Sequence, residues 1–144
     1  MKKKKNNKGF SLVELIVVIA IMAVLVGVLA PQFIGYVEKS RQSTDVSNFD
    51  TIKSTVEVYY ADKDTLPSTV TITVNSGNFV VTANPATGTG TDVTTTIGVG
   101  GTAVKGNWTT PLSATWTVST NTWTFAGESS AYTINASTGV ATAK

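Results

Sequence analysis

The chain has 144 residues, 11 Lys and Arg against 9 Asp and Glu, and neither Cys nor His. Without Cys there is no disulfide framework, no thiolate nucleophile and no thiolate metal site; without His the commonest general base and metal ligand are missing. Five of the basic residues are Lys2, Lys3, Lys4, Lys5 and Lys8, so the chain beyond residue 9 holds six positive and nine negative side chains, a net of −3 that gives no support to a nucleic-acid partner.

Four zones follow one another. Residues 1–9 form a polar, lysine-rich leader ending in Gly9. Residues 10–30 are almost wholly apolar, with Glu14 the only charge. Twenty-one residues at about 1.5 Å each reach roughly 31 Å, close to the ~30 Å hydrocarbon thickness of a bilayer. In lipid the backbone must pair with itself, so this segment is predicted to be helical despite its Val and Ile. The lysines on its N-terminal side predict a cytoplasmic leader and an external remainder.

Residues 31–64 mix charges with spaced apolar residues. Pro31 lacks an amide donor and crowds the preceding turn, and Gly27 loosens that turn, so a kink or break is expected there. Beyond it Val46, Phe49, Ile52, Val56 and Tyr59 or Tyr60 recur at helical steps. Asp45, Asp50, Lys53 and Glu57 are read as lying largely off that stripe. Thr65-Leu66-Pro67 ends the pattern. One long helix results, apolar all round in its first half and amphipathic in its second.

Residues 65–144 are rich in Thr, Gly, Ser and Val. Thr69–Val74 and Phe79–Thr82 flank Asn75-Ser76-Gly77-Asn78, a hairpin signal. Val93–Val99 is a weaker strand candidate. Ala114–Val118 with Thr122–Phe125, and Tyr132–Asn135 with Val140–Thr142, predict two further hairpins. Short strands joined by tight turns imply an antiparallel sheet covered by the stripe of residues 46–60. Trp108, Trp116, Trp123, Phe79, Phe125 and Tyr132 are expected to supply much of the core. The expected class is therefore α+β. No metal or cofactor site is expected: Asp62-x-Asp64 lacks the rest of a calcium loop, and the tract from Gly88 to Gly101 lacks the lysine of a phosphate loop.

Gly9-Phe10-Ser11-Leu12-Val13-Glu14, at the junction of leader and apolar run, resembles the processing motif of type IV prepilins and related pseudopilins. The resemblance covers roughly residues 1–60, and Pro31 falls where many members have a proline. It implies the pilin fold, cleavage between Gly9 and Phe10 by a prepilin peptidase, and methylation of the new amine of Phe10. It also implies assembly into a helical homo-oligomeric filament, driven by an ATPase through an inner-membrane platform protein. In the family the glutamate at the position of Glu14 pairs with the N-terminal amine of a neighbouring subunit. A carboxylate inside an apolar span costs about 2.5–3.5 kcal/mol on insertion scales, which a matched amine would offset.

Other readings stand beside these. Ser11-x-x-Glu14 also fits a helix capping box. Lysines before an apolar run also describe a secretory signal, with Val28-Leu29-Ala30 as a cleavage site, although Pro31 directly after such a cut disfavours it. The helix aromatics (Phe10, Phe33, Tyr36, Phe49, Tyr59, Tyr60) are read as packing groups rather than an electron path. The expected function is a structural subunit, a major pilin for adhesion, motility or biofilm. The alternatives are a minor pilin, a type II secretion or competence pseudopilin, or a membrane-anchored domain binding surfaces through exposed tryptophans. An enzyme is not expected.

Overall fold

The structure is a computed structural model, and it describes residues 9–85 and 90–144. Residues 1–8 of the expected leader, and Gly88 of the glycine-rich tract, lie outside the described residues.

One helix precedes one sheet. α1 spans Leu12–Ala61, followed by β1 (Thr69–Asn75), β2 (Asn78–Asn84), β3 (Thr91–Asp92), β4 (Trp108–Thr117), β5 (Thr122–Ser129), β6 (Tyr132–Ile134) and β7 (Ala141–Ala143). The seven strands lie in the order β3-β2-β1-β4-β5-β6-β7, and every paired neighbour is antiparallel. The chain divides into two units with the boundary after Val37, inside α1.

In the first unit α1 runs through Gly27 and Pro31 without interruption, so the helix does not break there. Pro31 has no amide to give the carbonyl of Gly27 four residues earlier, which leaves one rung of the ladder unmade. From Leu12 to Tyr36 the large apolar side chains are between 47% and 73% exposed. No protein core covers this half of the helix.

In the second unit the amphipathic half of α1 meets the sheet. Phe49, Ile52, Val56 and Tyr60 are buried, with Val46 and Tyr59 packed beside them. Opposite stand Val70, Ile72, Phe79, Val81, Leu112, Ala114, Trp116 and Phe125. Full burial of each large side chain contributes about 1.5–3 kcal/mol, so this face supplies most of the unit's stability. Tyr132, expected in the core, is only half-buried at the start of the three-residue β6 and is not part of the cluster.

Strand alternation sends the other set of residues outward. Thr71 pairs with Thr82 on one side and Thr115 on the other, and Thr115 pairs with Thr124, so four threonines form a row across four strands. A β-branched side chain suits the pleat, and its hydroxyl suits water.

The turns follow their residues. Ser76 and Gly77 both take positive φ (50° and 78°) between the paired Asn75 and Asn78, as a two-residue hairpin with type I′ geometry requires. Pro111 sits exposed in β4 where the β4–β5 register shifts, a position that needs no ladder amide. Val93–Val99, expected as a strand, is not one. Ile97 N–H donates to the Val93 carbonyl (3.0 Å) and Val99 N–H to the Thr94 carbonyl (3.1 Å), so local turns replace a ladder. Ile97 and Val99 still reach the core.

Candidate functional site

The N-terminal site begins with two exposed residues, Gly9 and Phe10, that precede the helix. Ser11 stands at the cap position. Its Oγ accepts the amide of Val13 (3.3 Å), its carbonyl accepts the amide of Leu15 (3.3 Å), and its own N–H donates to Glu14 Oε2 (2.8 Å). This is a variant of the capping box that Ser11-x-x-Glu14 allows, with Glu14 bonding back to the cap amide and Ser11 Oγ taking the amide of Val13 instead of that of Glu14. Glu14 therefore folds back over the helix start, with its carboxylate four residues from Phe10. Removal of residues 1–9 would place a free amine one residue before Ser11.

Downstream, an added Cβ at Gly27 or Gly35 would meet no atom within 4 Å. The exposed apolar shell around these glycines is continuous. Among the described residues this helix is the one long and apolar enough to cross a membrane.

In the second unit the structure reveals a polar clasp that sequence reading misplaced. Asp45 and Gln42 are fully buried on the sheet-facing side of α1, not off it. Asp45 lies four residues before Phe49 and seven before Ile52, the spacing of the inward stripe. Its Oδ1 accepts the Lys105 amide (2.8 Å), and its Oδ2 accepts the Gly106 amide (2.6 Å) and the Trp108 indole N–H (3.0 Å). Gln42 Nε2 donates to the Asn107 carbonyl (3.0 Å) and to Glu38 Oε1 (2.9 Å), while Gln42 Oε1 accepts from Ser129 Oγ (3.0 Å). Glu38 Oε1 also accepts the Asn107 amide. The β3–β4 loop and the end of β5 are thus tied to the same two helical turns. The signal for this was the helical period itself, masked because an aspartate on an apolar stripe reads as solvent-facing.

Phe49, Tyr59 and Tyr60 and the tryptophans and phenylalanines of the sheet are packing groups, whereas Phe10, Phe33 and Tyr36 are exposed. Trp116 is buried, and Trp108 and Trp123 are half-buried against the core. Trp116 and Trp123 are stacked cross-strand partners with ring centres 5.8 Å apart, and Trp123 stacks on Phe125 at 5.9 Å. Lys53 Nζ caps the open side of this stack, 5.6 Å from the Trp123 ring. No exposed tryptophan platform remains for a surface-binding reading.

Comparison with known proteins bears on the first zone. Residues 4–30 match the family model described as the prokaryotic N-terminal methylation motif. The chain is 40% identical over 79 residues to prepilin peptidase-dependent protein A of Clostridium perfringens, covering 52% of this chain and 56% of that one. It is 30% identical over 69 residues to type II secretion system core protein G of Vibrio cholerae, covering 48% and 47%. It is 33% identical over 59 residues to the type IV major pilin protein PilA of Myxococcus xanthus, covering 41% and 27%. The chain thus spans about half the length of the first two relatives and less of the third. No solved structure matches it. A methylation motif opening a long apolar helix and relatives of these kinds agree on one likeness: the N-terminal half of the chain is that of type IV pilins and pseudopilins, and an antiparallel sheet follows it.

Proposed function

We propose that the chain is a structural subunit of a type IV pilus, a major pilin whose filament serves adhesion, motility or biofilm. The observation that carries this reading is the uncovered apolar surface of α1 with Glu14 as its lone charge. Such a surface needs lipid or other copies of itself.

Residues 1–9 are the leader, held inside by its lysines. Residues 10–30 are the membrane segment and later the filament core, residues 31–64 the amphipathic half, and residues 65–144 the exposed head. The peptidase cuts between Gly9 and Phe10, and the new amine of Phe10 is methylated. Glu14 of one copy then meets that amine on another, which sets the axial register. The platform protein and its ATPase move the helix out of lipid. Apolar side chains leave one apolar environment for another, so little hydrophobic free energy is lost. The missing hydrogen bond between Pro31 and the Gly27 carbonyl lets the helix bend during that transfer.

Mass spectrometry of the chain in sheared surface fibres tests the processing. An N-terminus at methylated Phe10 is expected; an intact Met1, or a start at Pro31, would overturn the route. A second reading, a type II secretion pseudopilin, is favoured by the likeness to core protein G of Vibrio cholerae. Deletion of the gene separates the two: loss of abundant fibres supports the first, loss of exported enzymes with fibres intact supports the second.

A further inference from the structure

The clasp has an electrostatic consequence near the N-terminal end of the second unit. Between Glu14 and Glu38 the chain has no charged residue. Lys39 and Arg41 follow at once on α1, and both are exposed. The clasp holds the backbone of Lys105 against Asp45, one turn beyond Arg41, and the Lys105 side chain is exposed. The acids in this region are engaged. Both oxygens of Asp45 accept hydrogen bonds, and Glu38 accepts from the Asn107 amide and from Gln42. Among the described residues none of the three basic groups makes an ion pair. The next acid on the helix, Asp50, lies nine residues past Arg41, about 14 Å further along the axis. The remaining acids stand on later turns of α1, in the loop after it (Asp62 and Asp64) or in the sheet, where Glu128 is paired to Lys144. The unit from Glu38 to Lys144 is therefore acidic in total, with eight acids against six bases, but basic near its N-terminal end.

We infer that Lys39, Arg41 and Lys105 form a rim that binds the phosphate groups of anionic phospholipids while the chain still resides in the membrane. This rests on the membrane-resident stage proposed above. Charge complementarity and the position of Lys39 and Arg41 just after the uncharged stretch of residues 15–37 both favour lipid as the occupant. Each exposed Lys or Arg near an anionic membrane surface strengthens attraction to it about five-fold. The rim would be vacated when the helix leaves lipid, so lipid composition would weight membrane storage against assembly.

The test uses the cleaved full chain inserted in bilayers of phosphatidylcholine with a minor share of phosphatidylglycerol, then excised in polymer-bounded discs. Phosphatidylglycerol per protein is measured against the bulk ratio. Enrichment is expected, lost at high salt and in a triple Lys39→Gln, Arg41→Gln, Lys105→Gln variant, and kept in Lys63→Gln. The triple variant leaves the clasp intact, since Lys105 joins it through its backbone amide. Inserted wild-type chain with lipid at the bulk ratio would overturn the rim while leaving membrane residence standing. Failure of the chain to insert at all would overturn residence itself. Enrichment that appears only in discs holding two or more copies would assign the rim to a second copy and overturn the lipid assignment.

Discussion

The indole N–H of Trp108 donates to Asp45 Oδ2 at 3.0 Å, across 63 residues of chain, and joins the head's longest strand to the helix that leads into it. Two backbone amides share the same buried carboxylate. Three donors offset the loss of hydration that a buried charge incurs. With no Cys in the chain, this clasp links helix and β3–β4 loop without a disulfide.

Asp45→Ala strands those donors, each at about 1–3 kcal/mol, and is expected to cost about 3 kcal/mol or more in all. Asp45→Asn keeps one acceptor and should lose less. Unfolding of the cleaved chain in detergent, followed by tryptophan fluorescence, reads the difference. An alanine variant that melts with the wild type would remove the clasp's structural role.

Gly106 lies flat on the helix. A Cβ there would come within 2.6 Å of Gln42 Cγ and 3.0 Å of Gln42 Cα, the latter a backbone atom that cannot swing aside. Gly106→Ala should destabilise the head by about 1–3 kcal/mol, visible as a lower unfolding midpoint with an unchanged slope.

Gly27→Ala is the opposite case, because its Cβ meets no atom within 4 Å. The helix should gain about 1 kcal/mol. If bending at Gly27 and Pro31 serves assembly, the variant will be the more stable subunit and the slower to polymerise. Equal fibre yield per minute from both chains would dismiss that role.

Two roles of Glu14 separate by substitution. Glu14→Gln keeps an acceptor for the Ser11 amide and loses the charge, whereas Glu14→Ala loses both. Cleavage should proceed in each. Fibre yield should collapse in both if ammonium pairing governs register. Wild-type yield from the glutamine variant would leave Glu14 as a cap alone.

Tyr60 gives a pH dependence. Burial, and then the neighbouring Tyr59, push its phenol above the ordinary value. The unfolded chain therefore ionises this group first. Its contribution is complete below the normal tyrosine range and shrinks as pH rises through and beyond it. Tyr60→Phe should unfold less steeply with rising pH above 10 than the wild type does.

The helix and the three main hairpins were legible because their signals are local. An apolar run, a 3.6-residue stripe and paired turns such as Ser76-Gly77 need no distant partner to be read. The extent of β4 was not legible: it begins at Trp108 because β5 continues to Ser129, a fact about pairing rather than about Thr109 and Thr110. Val93–Val99 has the composition of a strand, yet Gly98, at φ 80°, and short-range amide bonds curl it. Asp45 was misread because its partners lie 60 or more residues away. At the N-terminus the capping box was visible in Ser11 and Glu14, since both partners lie within one turn.

The threonine rows on the outer sheet face carry a further consequence. Alternation puts what the head displays and what holds it together on separate residues of the same strand. Thr71, Thr115 or Thr124 can change without disturbing Ile72, Ala114 or Phe125. Such a coat can drift in chemistry from lineage to lineage, or receive decoration, while the scaffold beneath stays as it was.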